Sequence, residues 1–105
     1  MTQERRRSPR AKVNLKARWE GADQQQEATV TDLSKTGCFV LSGGQVHLKE
    51  LVRLEIEMPT GEPLVFWAEV VDAAYEIGFA VKFNLLLDED EMRLRKLIVA
   101  SLENP

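Results

Sequence analysis

Two short segments gather the side chains that have chemistry to offer. Arg5-Arg6-Arg7-Ser8-Pro9-Arg10 sets four guanidinium groups near the start, and Asp32-Leu33-Ser34-Lys35-Thr36-Gly37 places a carboxylate, two hydroxyls and a glycine between apolar runs. A guanidinium grips phosphate oxygens as a fork, pairs bidentately with guanine O6 and N7, and stacks on purine faces. Pro9 fixes its own φ and pushes Ser8 toward extended geometry, so this segment is biased away from helix and can set Arg6 and Arg10 at different points around one ligand. Asp32 can accept from two donors lying side by side, the arrangement guanine presents with its N1–H and amino group. Ser34, Thr36 and exposed turn amides can donate to phosphate, and Gly37 is expected to take positive φ and to let a flat ligand approach the backbone. Together the segments read as a split receptor for a small, polyanionic, guanine-bearing ligand. Taken singly, each has a plainer reading, because Asp-x-Ser and glycine are common turn formers and Arg-rich termini are often solubilising tails.

Catalysis is not indicated, and the expectation is that the chain is not an enzyme. The single histidine, His47, sits in a loop between Val46 and Leu48, where an exposed side chain is a better reading than a base. The single cysteine, Cys38, lies in an apolar strand and reads as a small core residue; alone it makes neither an internal disulfide nor a multi-cysteine zinc site. The acidic run Asp88-Glu89-Asp90-Glu91 opens a helix, where acids complement the macrodipole, so no metal is expected there. No glycine-rich loop ends in Lys-Ser or Lys-Thr, so a nucleoside triphosphate site is not indicated.

The elements that must position these residues follow from the hydrophobic period. Residues 1–11 show no periodicity and are expected to be a flexible basic arm. From Lys12 the apolar residues alternate as Val13, Leu15, Ala17 and Trp19, which argues a half-buried strand. After a turn over Gly21–Gln26, Ala28–Leu33 reads as a second strand with Ala28, Val30 and Asp32 on one face; Leu33–Thr36 then form the connection to a strand at Cys38–Leu41. Leu51–Met58, Leu64–Val71 and Ile77–Phe83 complete six strands, with turns at Pro59–Pro63 and near Tyr75-Glu76. Asp88 is expected to cap a helix over 88–102, with Glu91 completing a box-like start and Leu94, Leu97, Ile98, Ser101 and Leu102 forming its apolar stripe. The expected fold is mainly β: a six-stranded antiparallel β-barrel with a C-terminal amphipathic α-helix over residues 12–105.

In this setting the motifs resemble those of the PilZ domain family, bacterial receptors for the second messenger cyclic di-GMP. The family's arginine–any three–arginine motif matches Arg6 and Arg10, with Pro9 just before the second arginine. Its Asp/Asn–any–Ser–any two–Gly motif matches Asp32, Ser34 and Gly37 without substitution, and Gly78-Phe79-Ala80-Val81-Lys82-Phe83 looks like a late strand of the family. The resemblance runs from about Glu4 into the terminal helix. It implies a split-barrel-type six-stranded fold. It also implies that Arg6 and Arg10 grip guanine and phosphates, that Asp32 and Ser34 complete the pocket, and that Gly37 shapes the turn. Arg5 stands where the family's choice between one ligand and a stacked pair is influenced. The ligand implied is cyclic di-GMP, with no cofactor, and the arm is expected to fold over it.

Charge separates the same two regions. Residues 1–18 carry seven basic groups against one acid, a net of +6, whereas the remainder carries seven basic and 16 acidic groups, a net of −9. An acidic body repels nucleic acid except through its arm, and no strand alternates aromatic with basic residues, so no nucleic-acid partner is expected. No apolar stretch approaches the ~18 residues of a membrane helix, and no charged-then-apolar leader opens the chain. The expectation is therefore a cytoplasmic receptor or adaptor in second-messenger signalling, passing its state to a protein partner, with a homodimer left open. The competing expectation is a nucleotide-independent protein-interaction module, for example in type IV pilus assembly or motility, for which exposed apolar residues on the helix or on Leu64–Val71 would speak.

Overall fold

A computed structural model describes residues 10–59, 61–74, 76–84 and 87–103. Six strands, β1 (Ala11–Glu20), β2 (Gln25–Leu33), β3 (Gly37–Leu41), β4 (Leu51–Ile56), β5 (Leu64–Ala74) and β6 (Gly78–Phe83), precede one helix, α1 (Asp88–Glu103). The strands close into a barrel in the order β1-β2-β3-β6-β5-β4, every neighbouring pair antiparallel. Closure removes the unpaired edges that an open sheet of this size would expose.

Period-two patterning explains the core. In the β4–β5 ladder Val52, Leu54 and Ile56 stand opposite Ala68, Phe66 and Leu64, and all six are buried. Trp19 fills one end of the barrel. Its ring meets Phe79 edge to face, with centroids 5.1 Å apart, and its indole N–H donates to Ser42 Oγ at 2.9 Å. A buried Trp needs such a partner for its one polar atom. Phe66 and Phe83 make a second ring contact at 4.5 Å. Cys38 is part of this core, and burial pushes its thiol pKa up, opposed by the positive charge of Arg10.

Several details differ from the sequence reading: β1 already includes Ala11, which is buried, β4 stops at Ile56, β5 runs on to Ala74 and β6 starts at Gly78. Gln25 and Gln26 belong to β2 and not to the turn, because Gly21 N–H closes onto Gln24 O at 2.9 Å and the β1–β2 ladder resumes at once. Asp32 does not share a face with Ala28 and Val30. The β2–β3 register slips by one residue between Val30 and Asp32, so Leu33 turns into the core and Asp32 turns outward. Asp88 is the first helical residue, with Glu91 N–H donating to Leu87 O at 2.9 Å, so its acid acts from within the first turn. On α1, Leu94 and Ile98 are buried and Leu97 is half-buried, but Leu102 is exposed. At 100° per residue Leu102 stands about 80° around from Leu94, on the edge of the docked stripe. The helix lies against β1, and the Arg93 guanidinium donates to the Glu62 carbonyl in the β4–β5 connection.

Candidate ligand-binding site

β2 delivers Asp32 to the surface through a pair of irregularities. One residue is inserted in β1 between Lys12 and Leu15, and one in β2 between Val30 and Asp32. Bulges re-aim side chains, and this one gives Asp32 an outward carboxylate directly opposite Lys12 on one side and Phe39 on the other. The Lys12 ammonium approaches it at 3.5 Å; the lysine side chain is 89% exposed and the aspartate 26%, so the pair is a solvated contact that a ligand can replace at small cost.

β2 runs through Leu33, so Leu33 belongs to the strand alone and the connection is Ser34–Thr36. Ser34 organises it. Its buried hydroxyl accepts from the Thr36 and Gly37 N–H groups, both at 3.2 Å, and faces Gly37 O at 3.3 Å and Thr36 Oγ1 at 3.2 Å. Its own N–H donates to Gly37 O at 2.9 Å. The Thr36 carbonyl then accepts from Phe83 N–H at 2.8 Å, which ties the turn to β6. Ser34 is therefore a turn-former with its oxygen committed inside the loop, while Lys35 and Thr36 are exposed.

Gly37 is needed for a reason other than the one its sequence context offers. The described residues with positive φ are Lys49, Glu76 and Gly61, and Gly37 is not among them. A Cβ at Gly37 would instead lie 2.1 Å from the Val81 carbonyl oxygen, because β3 and β6 approach closely there. The glycine lets the motif turn sit flush on β6.

Arg10 is exposed and immediately precedes Ala11, which pairs with Leu33, so its backbone enters beside the Ser34 turn; its charge is felt by the Cys38 thiol below. Arg5 and Arg6 lie outside the described residues. The structure thus brings together Arg10, Asp32, Ser34 and Gly37. It also adds cations that the motifs do not include: Lys12 opposite Asp32, Lys35 in the turn, and Lys82, exposed on β6 opposite Gly37. Lys82 becomes a neighbour only through the β3–β6 register, which joins residues 45 positions apart. Phe39, half-buried beside Asp32, offers a flat apolar neighbour.

A concavity of about 810 Å³ lies elsewhere, over β1, β2 and the end of β3. Glu27, Glu55, Glu57 and Glu76 outnumber Lys16 and Arg18 along it, so it repels the phosphates that the cationic corner attracts. Charge, not volume, marks the site. Among the described residues no group of three or more His, Cys, Asp or Glu is placed to hold a metal ion, and no helix is long and apolar enough to cross a membrane.

Solved structures share this architecture. The Bacillus subtilis inhibitor of motility MotI/DgrA matches with a TM-score of 0.81 and 18% identity over 97% of this chain; the chain spans about half (53%) of that protein's length. The PilZ domain of YcgR from Escherichia coli, solved with c-di-GMP, matches with a TM-score of 0.80 and 16% identity over 95% of this chain and 93% of its own. The PilZ domain of CeSA from a cellulose-synthesizing bacterium gives a TM-score of 0.69 and 18% identity over 91% of this chain and 99% of its own. No curated protein matches the sequence. The PilZ domain family model spans residues 4–100, which includes both motifs and the whole barrel, and the chain belongs to the PilZ domain family.

Proposed function

We propose that this chain is a cytoplasmic receptor for cyclic di-GMP that passes ligand occupancy to a protein partner. The observation that carries the reading is the outward Asp32 carboxylate, set by a bulge beside a Ser34-locked turn, with Lys12 at 3.5 Å, Arg10 at the start of β1, Lys35 in the turn and Lys82 opposite Gly37. In this reading Asp32 accepts from the guanine N1–H and amino group, and Arg6 and Arg10 take the opposite guanine edge and the phosphates. Ser34 and Gly37 act through the shape of the turn, and Arg5 bears on whether one ligand or a stacked pair is held. The barrel supplies a preformed half-site, and residues 1–9 close over the ligand as its other half. Each charge-assisted contact contributes ~1.5–3 kcal/mol, offset by ordering of the arm, which places the affinity in the micromolar range. The newly covered surface is what a partner would sense. Calorimetric titration with cyclic di-GMP, against GTP and cyclic GMP, tests this: wild type binds in the micromolar range and Arg10→Ala and Asp32→Ala lose at least ~10-fold. Wild-type binding no tighter than millimolar overturns it.

A second reading, a nucleotide-independent interaction module, draws support from the exposed apolar residues Met92, Val99 and Leu102 of α1 and Trp67 and Val71 of β5. Capture of one partner in equal yield with and without nucleotide decides for it.

A further inference from the structure

On the outer face of the β4–β5 ladder, Trp67 is 53% exposed and Leu51 50%. These are large apolar side chains on a sheet surface where neither covers the other. The register fixes their surroundings: Leu51 is directly opposite Glu69, and Arg53 is directly opposite Trp67. The four residues therefore form a checkerboard, with apolar side chains on one diagonal and an acid and a base on the other. The two residues on each diagonal lie about 7–8 Å apart.

We propose that this face is a self-association surface and that its occupant is a second copy of the chain. A two-fold axis along the Leu51–Trp67 diagonal stacks Leu51 on its own copy and Trp67 on its own copy. The same operation brings Arg53 over Glu69 of the other molecule and Glu69 over its Arg53. The pattern is self-complementary, as an isologous interface requires. A chain carrying two charges of the same sign at these positions would oppose itself across that axis. With about 3.4 Å per residue along a strand and 4.8 Å between strands, the axis runs about 35° from the strands. The two sheets then cross at about 70°, nearer the orthogonal class of sheet packing than the aligned one. The Arg53 guanidinium already has a carboxylate at 3.8 Å, that of Glu55, but both side chains are substantially exposed, and such a pair yields readily to a better partner. The centre supplied by Trp67, with a charged rim, is the arrangement that concentrates binding energy in protein interfaces. The face adjoins the ligand site at one corner, because Glu69 is also opposite Lys82 across the β5–β6 ladder, so its self-association is tested without nucleotide.

Sedimentation equilibrium on the full chain across the micromolar range, without nucleotide, tests the inference. Wild type shows a concentration-dependent monomer–dimer equilibrium, and Trp67→Ser weakens it by at least ~10-fold. Arg53→Glu and Glu69→Arg alone are monomeric over the same range, since each sets like charges against one another twice per dimer. Mixing those two variants restores association, because in the heterodimer both pairs are again of opposite sign. That rescue cannot come from a folding defect in either chain. A wild type that stays monomeric throughout, single charge variants that dimerise as well as wild type, or a mixture that remains monomeric would each overturn it.

Discussion

Replacing Gly37 by alanine is the sharpest test of how the half-site is built. The new methyl would lie 2.1 Å from the Val81 carbonyl oxygen, 3.2 Å from its carbon and 3.3 Å from Lys82 Cα. Ordinary contact begins near 3.4 Å, so β3 and β6 must separate by more than 1 Å, and no side-chain rotation relieves backbone against backbone. Overpacking of this kind costs about 1–3 kcal/mol. The separation also stretches the Thr36 O–Phe83 N bond of 2.8 Å, a further loss of about 1 kcal/mol. The expected total is about 2–4 kcal/mol, or roughly 10–25 °C in Tm for a domain of this size. Asparagine separates the steric account from a conformational one. If Gly37 served positive φ, Gly37→Asn would be clearly milder than Gly37→Ala, since asparagine tolerates that region. Steric exclusion makes both severe, with asparagine no better than alanine. Urea denaturation of the three proteins gives the answer. A Gly37→Ala protein within about 0.5 kcal/mol of wild type, the range of an ordinary surface change, would refute the close-approach argument.

Three further outcomes follow from the same geometry. Ser34→Ala removes the acceptor of two backbone N–H groups inside a buried turn, and urea denaturation should show a loss of about 2–3 kcal/mol, with Ser34→Thr retaining part of it. Lys82→Ala should weaken cyclic di-GMP binding several-fold and flatten its salt dependence in calorimetry at two ionic strengths, whereas Lys49→Ala, in the loop before β4, should change neither. Burial raises the Cys38 pKa in the folded chain, so above about pH 9 the unfolded thiol ionises while the folded one keeps its proton. The Cys38 contribution is then fully present below pH 9 and declines as pH rises beyond it; Cys38→Ala should abolish that part of the alkaline slope in thermal melts.

The strands were legible because their inward residues alternate cleanly: Val52, Leu54 and Ile56, or Phe79, Val81 and Phe83, leave little choice of period or face. The bulges were not legible. Thr31 and Asp32 look like a continuation of the Ala28–Val30 alternation, and only the partner strand shows that the register slips between Val30 and Asp32. The outward facing of the Asp32 carboxylate was therefore hidden in the sequence. Gly37 was singled out for conformational freedom because a sequence shows neighbours along the chain, whereas the atom that forbids a Cβ belongs to Val81, 44 residues on. Ser34 reads from the sequence as a donor to ligand, but its oxygen accepts the amides of Thr36 and Gly37, whose direction is set by the shape of the turn and not by their nearness in sequence. Lys82 carries no local signal at all; it is one exposed lysine in a strand until β3 is laid beside β6.

These misreadings share a cause that bears on how the site works. Asp32 and the Ser34 turn are aimed by long-range pairing, β2 against β1 and β3, and β3 against β6. A half-site held by three interstrand ladders is rigid in the absence of ligand, so it adds little ordering cost when a nucleotide arrives. If Arg6 and its neighbours supply the other half, as proposed above, the ordering cost falls on them, and affinity is set mainly by that segment and selectivity by the barrel. Asp32, fixed in direction, can discriminate guanine from adenine by its two donors, while guanidiniums that reach phosphate reward any dinucleotide of sufficient charge. The acidic groove over β1–β2 would add to the discrimination from outside the proposed site, since its carboxylates repel phosphates there.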